Sequence, residues 1–442
     1  MPVQETIFDN GLKVLTVEMH NAPVATFWVW YRVGSRNESL GITGASHWVE
    51  HMMFKGTGRL KKGDIFKLIS QNGGVNNAFT WMDYTAYFET LPSDRLDLAI
   101  QIESDRMVNS AFDPEEVDSE RTVIISEREG HENDPEFWLA EEVQATAFKV
   151  HPYHHDTIGW KADLLRMTRD DLYNHYRKYY VPNNAIAIAV GDFDTPVLLD
   201  KLRGSFGKIS RGADIPPLQV EEPAQEGERR VVVRRPGANA YFLAAFHAPQ
   251  ATDPDFFACF MLAGVLSGSP SLAAGGRASP GRSSRLYRAL VEKELAASVY
   301  ASYHPMLDPY LFEVEATVRH GVSIERVERA ILAELERIAA QPISDNEYHK
   351  VLKQTRAQYV YAEDGVSNHG YRLGMLDMVA SYHMYDTFLE NLEKVTKADI
   401  QRVAAQYLSE RNRTIGWFIP AEEPVIGRAT RGAAKRHNGR KK

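Results

Sequence analysis

The stretch "GASHWVEHMMFKGTG", residues 44–58, decides the fold and the chemistry that this chain is expected to have. After Ala45 its apolar residues recur at helical spacing, and the closing glycines predict that the helix ends near Lys55–Gly58. His47 and His51 stand at i and i+4, so both imidazoles project from one helix face within reach of a single ion. Neutral imidazole nitrogens are among the preferred ligands of zinc. The stretch therefore predicts a zinc site on a partly buried helix.

Glu50 shares that helix face, because it follows His47 by three residues and directly precedes His51. A carboxylate there can accept a proton from a water that the metal binds. The order His-x-x-Glu-His is a zincin-type signature. The alternative is two surface histidines on a charged helix. The apolar residues after the pair argue against it, because buried polar groups without partners are costly.

A third protein ligand is expected from "DPEEVDSERTVIISEREG", residues 113–130, because a catalytic zinc site has three protein ligands and one open position. Asp113-Pro114 predicts the start of a helix there. Glu120 and Glu127 are seven residues apart, which is close to two turns, so they share one face. Spacing alone leaves the choice open, because Glu115, Glu116, Glu129 and Glu132 compete and a solvated acidic face is the plain alternative.

Composition excludes several classes of protein. The chain has 442 residues, of which 44% are apolar and 25% charged, which is typical of two globular domains. Its net charge of −8 does not favour nucleic acid as a partner. Cys259 is the only cysteine, so neither a disulfide nor a cysteine-based zinc cluster is possible within the chain. No signal peptide is visible at the N-terminus, and the longest apolar run, around residues 256–266, is too short for a membrane span. We expect a soluble, cytoplasmic protein, with a periplasmic location as the alternative if a signal was removed.

Strand and helix patterns alternate in residues 1–212, which we interpret as an N-terminal catalytic domain of the α+β class. Residues 213–229 are rich in proline and acidic residues and predict an interdomain linker. The order of elements then restarts in residues 230–427, which predicts a second, related domain without a metal site, so that each chain has one active site. Residues 428–442 are basic and predict a solvated terminus or a contact with an acidic partner.

These residues resemble the pitrilysin/insulinase family of zinc metallopeptidases, the inverzincins, which include mitochondrial processing peptidase. The likeness covers about residues 5–420 and is strongest in residues 44–57, 73–91, 119–129 and 149–193. In that family the third ligand is a glutamate 76 positions after the second histidine, which implies Glu127, with a supporting glutamate seven positions earlier, Glu120. The resemblance implies two related sheet-and-helix domains facing each other across a chamber. It also implies one zinc ion per chain.

The resemblance implies a substrate site as well. In relatives the peptide adds as a strand to a sheet edge near the metal, and that edge corresponds here to Asn77, Ala78, Phe79 and Thr80. Main-chain hydrogen bonds then give affinity that tolerates many sequences. The alternative is an ordinary hairpin with aromatic packing by Phe79 and Trp81.

One departure from the family concerns the second domain. Many relatives carry an arginine and a tyrosine there that help to hold the substrate, but the equivalent positions in "LVEKELAASV" are Val291 and Ser298. Neither can replace the missing hydrogen bonds. Since some family members place the metal in one subunit and the Arg/Tyr pair in a homologous partner, the resemblance implies a heterodimer, with a homodimer or a monomer as alternatives.

Two function classes follow. The first is a zinc metalloendopeptidase that acts on unfolded peptides, with Glu50 as general base. The second is a non-catalytic assembly subunit, but such members of the family usually lack the metal residues. Two lesser features are the histidines of "HPYHH", residues 151–155, which we interpret as a loop and not as a second metal site, and the Gly/Ser/Pro-rich loop 267–284, for which substrate gating and disorder are equal alternatives.

Overall fold

The computed structural model describes residues 2–270, 272, 281–361 and 365–421. The strands are β1 (Gln4–Ile7), β2 (Lys13–Glu18), β3 (Val24–Tyr31), β4 (Val75–Thr80), β5 (Thr85–Pro92), β6 (Ala185–Gly191), β7 (Arg229–Pro236), β8 (Tyr241–Ala248), β9 (Ala296–Tyr303), β10 (Tyr310–Val318) and β11 (Arg413–Ala421). The helices are α1 (Ala45–Met52), α2 (Asp64–Gln71), α3 (Leu96–Asn109), α4 (Pro114–His131), α5 (Pro135–Ala147), α6 (Lys161–Arg166), α7 (Arg169–Tyr179), α8 (Thr195–Gly204), α9 (Phe256–Ser267), α10 (Ile324–Ala340), α11 (Asp345–Tyr361), α12 (Val366–Val379), α13 (His383–Lys394) and α14 (Lys397–Tyr407).

Two sheets with one shared strand order form the framework. The first has the order β1-β2-β6-β3-β5-β4 and the second the order β7-β11-β8-β10-β9. If β1 is set aside, each sheet has five strands, and the strands that come first and last along the chain lie side by side and parallel: β2 with β6, and β7 with β11. The remaining neighbours are antiparallel. Apart from β1, the second sheet therefore repeats the first strand by strand. The α+β class and the restart of one architecture, both predicted from the sequence, are confirmed.

Element boundaries differ slightly from the predicted ones. The metal-motif helix α1 ends at Met52, before the predicted Lys55–Gly58, and Gly56 with its φ of +116° turns the chain afterwards. Helix α4 starts at Pro114, directly after Asp113, as predicted. A shift of a few residues is usual at a helix end, where the terminal turn tightens or frays.

The two halves of the chain exchange helices. Helix α12, from the second half, packs on β3 and β6 of the first sheet, where Gly370 and Gly374 lie flat against the indoles of Trp28 and Trp30. Helix α5, from the first half, packs on β7, β8 and β11 of the second sheet, and its Leu139 and Val143 share a core with residues of those strands. Each sheet is therefore covered on one face by a helix from the other half.

The predicted linker has no helix or strand before β7, but it is anchored. The carboxylate of Glu222 accepts hydrogen bonds from the backbone N–H groups of Lys149, Val150 and His151, just after α5. No helix in the described part of the chain is long and apolar enough to cross a membrane. The basic tail 428–442 and, within the loop 267–284, residues 271 and 273–280 lie outside the described residues.

Candidate metal centre

Helix α1 presents two histidines side by side. Its N-cap is Gly44 in the left-handed region, with φ 88°, and the helix packs against β4 and α4. The rings of His47 and His51 are 4.7 Å apart between centroids and inclined at 72°. The i, i+4 spacing thus produces the arrangement that the sequence predicts, with both rings available to one ion.

Helix α4 brings a carboxylate to this pair. Oε2 of Glu127 lies 3.7 Å from Nε2 of His47 and 3.7 Å from Nε2 of His51. Within the described residues these three side chains are the group of histidines and acids whose donor atoms, all within 4.8 Å of one another, could hold a metal ion. Zinc bonds of about 2.0–2.1 Å place tetrahedral ligand atoms about 3.4 Å apart, so the two distances from Glu127 to the histidines need a contraction of only a few tenths of an ångström.

The protonation of His47 also fits a metal. Burial, followed by the charge of His51, lowers the pKa of His47 to about 3, so its ring is neutral at pH 7 and can donate a lone pair. Nδ1 of His47 is buried and has no hydrogen-bond partner in the described part of the chain. For His51, burial lowers the pKa, but the hydrogen bond to Glu120 and the charges of nearby glutamates outweigh it and raise the pKa. Two imidazoles and one carboxylate form a donor set that suits zinc.

Glu120 lies behind His51. Its Oε1 is 2.8 Å from Nδ1 of His51, which fixes a proton on Nδ1 and leaves Nε2 free for an ion. Glu120 is buried and its other oxygen pairs with the ammonium group of Lys55. Burial raises the pKa of Glu120, but the bonds from His51 and Lys55 prevail and lower it, so the group stays ionised. Sequence reasoning missed Lys55, although its position four residues after His51 was a signal.

Glu50 is buried, with 8% of its surface exposed, next to the two histidines in sequence. Its Oε2 accepts a hydrogen bond of 2.7 Å from the hydroxyl of Thr80. Burial raises its pKa to about 7, while the Thr80 bond and the charge of His51 oppose the rise. A carboxyl with a pKa near neutrality is well matched to general-base work. The structure thus places Glu50 beside the histidines but does not bring it into the metal-binding triplet.

Strand β4 carries the four predicted substrate-binding residues and is the last strand of its sheet, paired only with β5 among the described strands. The Phe79 ring packs against Trp30 and Tyr371, at 5.5 Å and 5.8 Å between centroids, so its side chain belongs to the core. Thr80 points at Glu50. Asn77 is exposed, and the main chain of β4 on the side away from β5 pairs with no described strand, so both remain available for a ligand.

The remaining predicted features lie apart from this centre. His151 and His155 are buried on either side of the 3-10 turn Pro152–His154, and Nε2 of His151 is 3.1 Å from Oδ2 of Asp308, which fits the interpretation of "HPYHH" as a loop. Val291 ends a π-helical turn, and the hydroxyl of Ser298 bonds that of Thr317 at 2.9 Å. Cys259 is a free, buried cysteine.

Comparison with known proteins gives consistent matches. Residues 13–160 match the family model of insulinase, peptidase family M16, and residues 166–355 match that of the peptidase M16 inactive domain. The zinc protease PqqE of Helicobacter pylori is 28% identical over 95% of this chain and 94% of its own length. The probable mitochondrial-processing peptidase subunit beta of Arabidopsis thaliana is 27% identical over 95% of this chain and 78% of its own. The crystal structure of a protease from Helicobacter pylori superposes with a TM-score of 0.89 at 27% identity, covering 95% of this chain and 99% of the other.

Proposed function

This chain belongs to the insulinase family of peptidases, family M16, and from that membership and the geometry of its site we propose that it is a zinc metalloendopeptidase. One observation carries the proposal. The donor atoms of His47, His51 and Glu127 converge within 4.8 Å, beside a buried carboxyl that none of the three uses. Glu50 is that carboxyl. A set of three ligands leaves one position open, as catalytic zinc sites do.

The roles of the residues follow from their contacts. A zinc ion held by the three ligands would polarise the scissile carbonyl and lower the pKa of a water molecule. Glu50 accepts a proton from the attacking water and returns it to the leaving amine. The hydroxyl of Thr80, at 2.7 Å, holds the Glu50 carboxylate in one orientation. Glu120 accepts the Nδ1 proton of His51, so that in the neutral ring Nε2 carries the lone pair for the metal, and Lys55 keeps Glu120 ionised.

For the substrate we propose an extended, unfolded peptide. The free edge of β4 at Asn77–Thr80 leads directly to Glu50, because Thr80 is both the last residue of the strand and the partner of that carboxyl. A peptide added along this edge pairs through its main chain, so the affinity depends little on its side chains. The added strand would bring a peptide bond to the metal centre.

We further propose that the active form is a heterodimer. Val291 and Ser298 supply no cation and no phenol at the positions where the family's Arg/Tyr pair is expected, and Ser298 is already bonded to Thr317. A homologous subunit with that pair would complete the site. In this proposal residues 1–212 form the catalytic domain, and residues 230–427 form the inactive domain that follows the linker 213–229.

The test measures peptide hydrolysis and bound zinc together. Glu50→Gln should retain zinc and lose activity by about 10²–10⁴-fold, the usual contribution of a general base. Glu127→Gln should lose zinc, whereas Glu115→Gln, an exposed glutamate on the same helix, should retain both zinc and activity. Each variant is assayed alone and with a homologous subunit that carries the Arg/Tyr pair.

The second candidate, a non-catalytic assembly subunit, is favoured by the positions Val291 and Ser298. It predicts that wild type binds zinc but cleaves no peptide even with the homologous subunit. A wild-type chain that binds no zinc would contradict the metal centre itself.

A further inference from the structure

A carboxylate outside the metal centre holds the first turn of α1. Glu38 is 6% exposed, and its two oxygens accept hydrogen bonds of 2.7 Å each from the backbone N–H groups of Gly44 and Ser46. The first N–H groups of a helix have no partner within the helix, and Gly44, the N-cap, has no side chain to bond them. Glu38 therefore does from six residues away what a capping side chain normally does locally.

The chain that enters α1 is held from the opposite side as well. One oxygen of Asp163 accepts hydrogen bonds from the backbone of Gly41, at 3.0 Å, and from the hydroxyl of Thr43, at 2.7 Å. The Thr43 oxygen in turn accepts the N–H of Trp160 at 2.9 Å. Gly159 is in such close contact with residues 43–44 that an added Cβ would lie within 2.4 Å of three of their backbone atoms. Residues 41–46 thus have little freedom to move.

This restraint acts on the metal ligands because of where they lie in α1. His47 is the third residue of the helix and follows Ser46 directly. A histidine nitrogen lies on the order of 6 Å from the helix axis, so a rotation of the first turn by about 10° displaces it by about 1 Å. Metal–ligand distances tolerate only about 0.2 Å. A small rotation of the helix start would therefore separate His47 from Glu127.

We propose that Glu38 is a positioning residue of the metal centre, which fixes the first turn of α1 and thereby the direction of His47 and His51. It contacts neither of them, and its effect passes through the backbone of Gly44 and Ser46. The inference rests on the proposed function, because it assumes that α1 binds zinc. A buried carboxyl is costly unless it is fully hydrogen-bonded, and these two bonds satisfy both of its oxygens.

The test compares Glu38→Gln with Glu222→Gln in the full-length chain. Glu222 also receives backbone N–H groups, at Lys149–His151, but it is remote in sequence from α1 and serves as the matched control. Zinc affinity is measured by competition with a chelating dye, and the cobalt-loaded proteins are compared by visible absorption. Glu38→Gln should weaken zinc about 10–100-fold, the range for a lost supporting group, and change the cobalt spectrum. Glu38→Gln should also lower kcat and leave KM within about twofold, because Glu38 does not touch β4, the strand along which the peptide is proposed to bind.

Two results would overturn the inference. One is wild-type zinc affinity and cobalt spectrum in Glu38→Gln, and the other is an equal loss in Glu222→Gln, which would indicate general destabilisation. If Glu38→Gln does not fold, Glu38→Asp takes its place, since it keeps a carboxyl group but withdraws it from one of the two N–H groups. Wild type that binds zinc without cleaving peptides would contradict the peptidase proposal alone, because the zinc and cobalt measurements would still decide the role of Glu38.

Discussion

The packing of α12 on the first sheet predicts a large effect from a single methyl group. In Gly374→Ala the new Cβ would lie within 2.6 Å of three atoms of the Trp30 indole, where ordinary carbon contacts need about 3.5–4.0 Å. Helix α12 must then move by about 1 Å or the indole must leave its position. Overpacking of this kind costs about 3 kcal/mol at the upper end of its range, and the better helix propensity of alanine returns about 1 kcal/mol. We expect a net loss of about 2 kcal/mol in the free energy of unfolding.

The assay is urea unfolding followed by tryptophan fluorescence, because Trp28 and Trp30 lie in the affected contact. Gly204→Ala is the matched control: Gly204 is the last residue of α8, and an added Cβ there meets nothing within 4 Å. The free energy of unfolding of Gly204→Ala should rise by up to about 1 kcal/mol. If Gly374→Ala were as stable as wild type, or as stable as Gly204→Ala, the account of how α12 contacts the sheet would be refuted.

Three further predictions concern the metal centre and the contact between the halves. Glu120→Gln should weaken zinc binding about 10–100-fold in chelator competition, because the proton on Nδ1 of His51 loses its charged acceptor; unchanged affinity would contradict that role. Removal of zinc by a chelator should lower the thermal unfolding temperature, and restored zinc should reverse the change, whereas Glu127→Ala should respond to neither treatment. Burial raises the pKa of Asp83 from 3.8 to about 6, so its neutral form is favoured in the folded state. The free energy of unfolding should therefore fall by about 3 kcal/mol as the pH rises from 3.8 to 6. Asp83→Asn should abolish that part of the pH dependence when urea unfolding is measured at pH 4 and pH 7.

Local sequence patterns were enough to predict the elements and their repetition. The β-branched and aromatic runs predicted the strands, glycine and proline predicted where helices end or start, and the pattern that restarts after residue 229 predicted the second sheet. The exchange of α5 and α12 could not be predicted in this way. Their apolar faces show that they are buried, but nothing in a single helix tells which sheet buries it.

In the candidate site, too, some residues could be predicted from local spacing and others could not. Spacing on α1 placed His47, Glu50 and His51 on one face, because those three residues lie within one and a half turns of a single helix. The choice of Glu127 among the glutamates of α4 needed the resemblance, since it depends on how α4 crosses α1. Glu38 gave no signal, because a residue that caps a helix from a preceding loop follows no fixed spacing. The assignment of Asn77–Thr80 to the substrate stays a prediction.

Because the two halves of the chain exchange helices, they should stay together even without the linker between them. If the chain were cut between residues 211 and 221, α5 would still cover β7, β8 and β11, and α12 would still cover β3 and β6. The two fragments would then remain bound to each other without a peptide bond between them, each with a gap in its own core that only the other fills. Conversely, neither fragment should be stable when it is produced alone, so the half that carries His47, His51 and Glu127 cannot be separated from the other half.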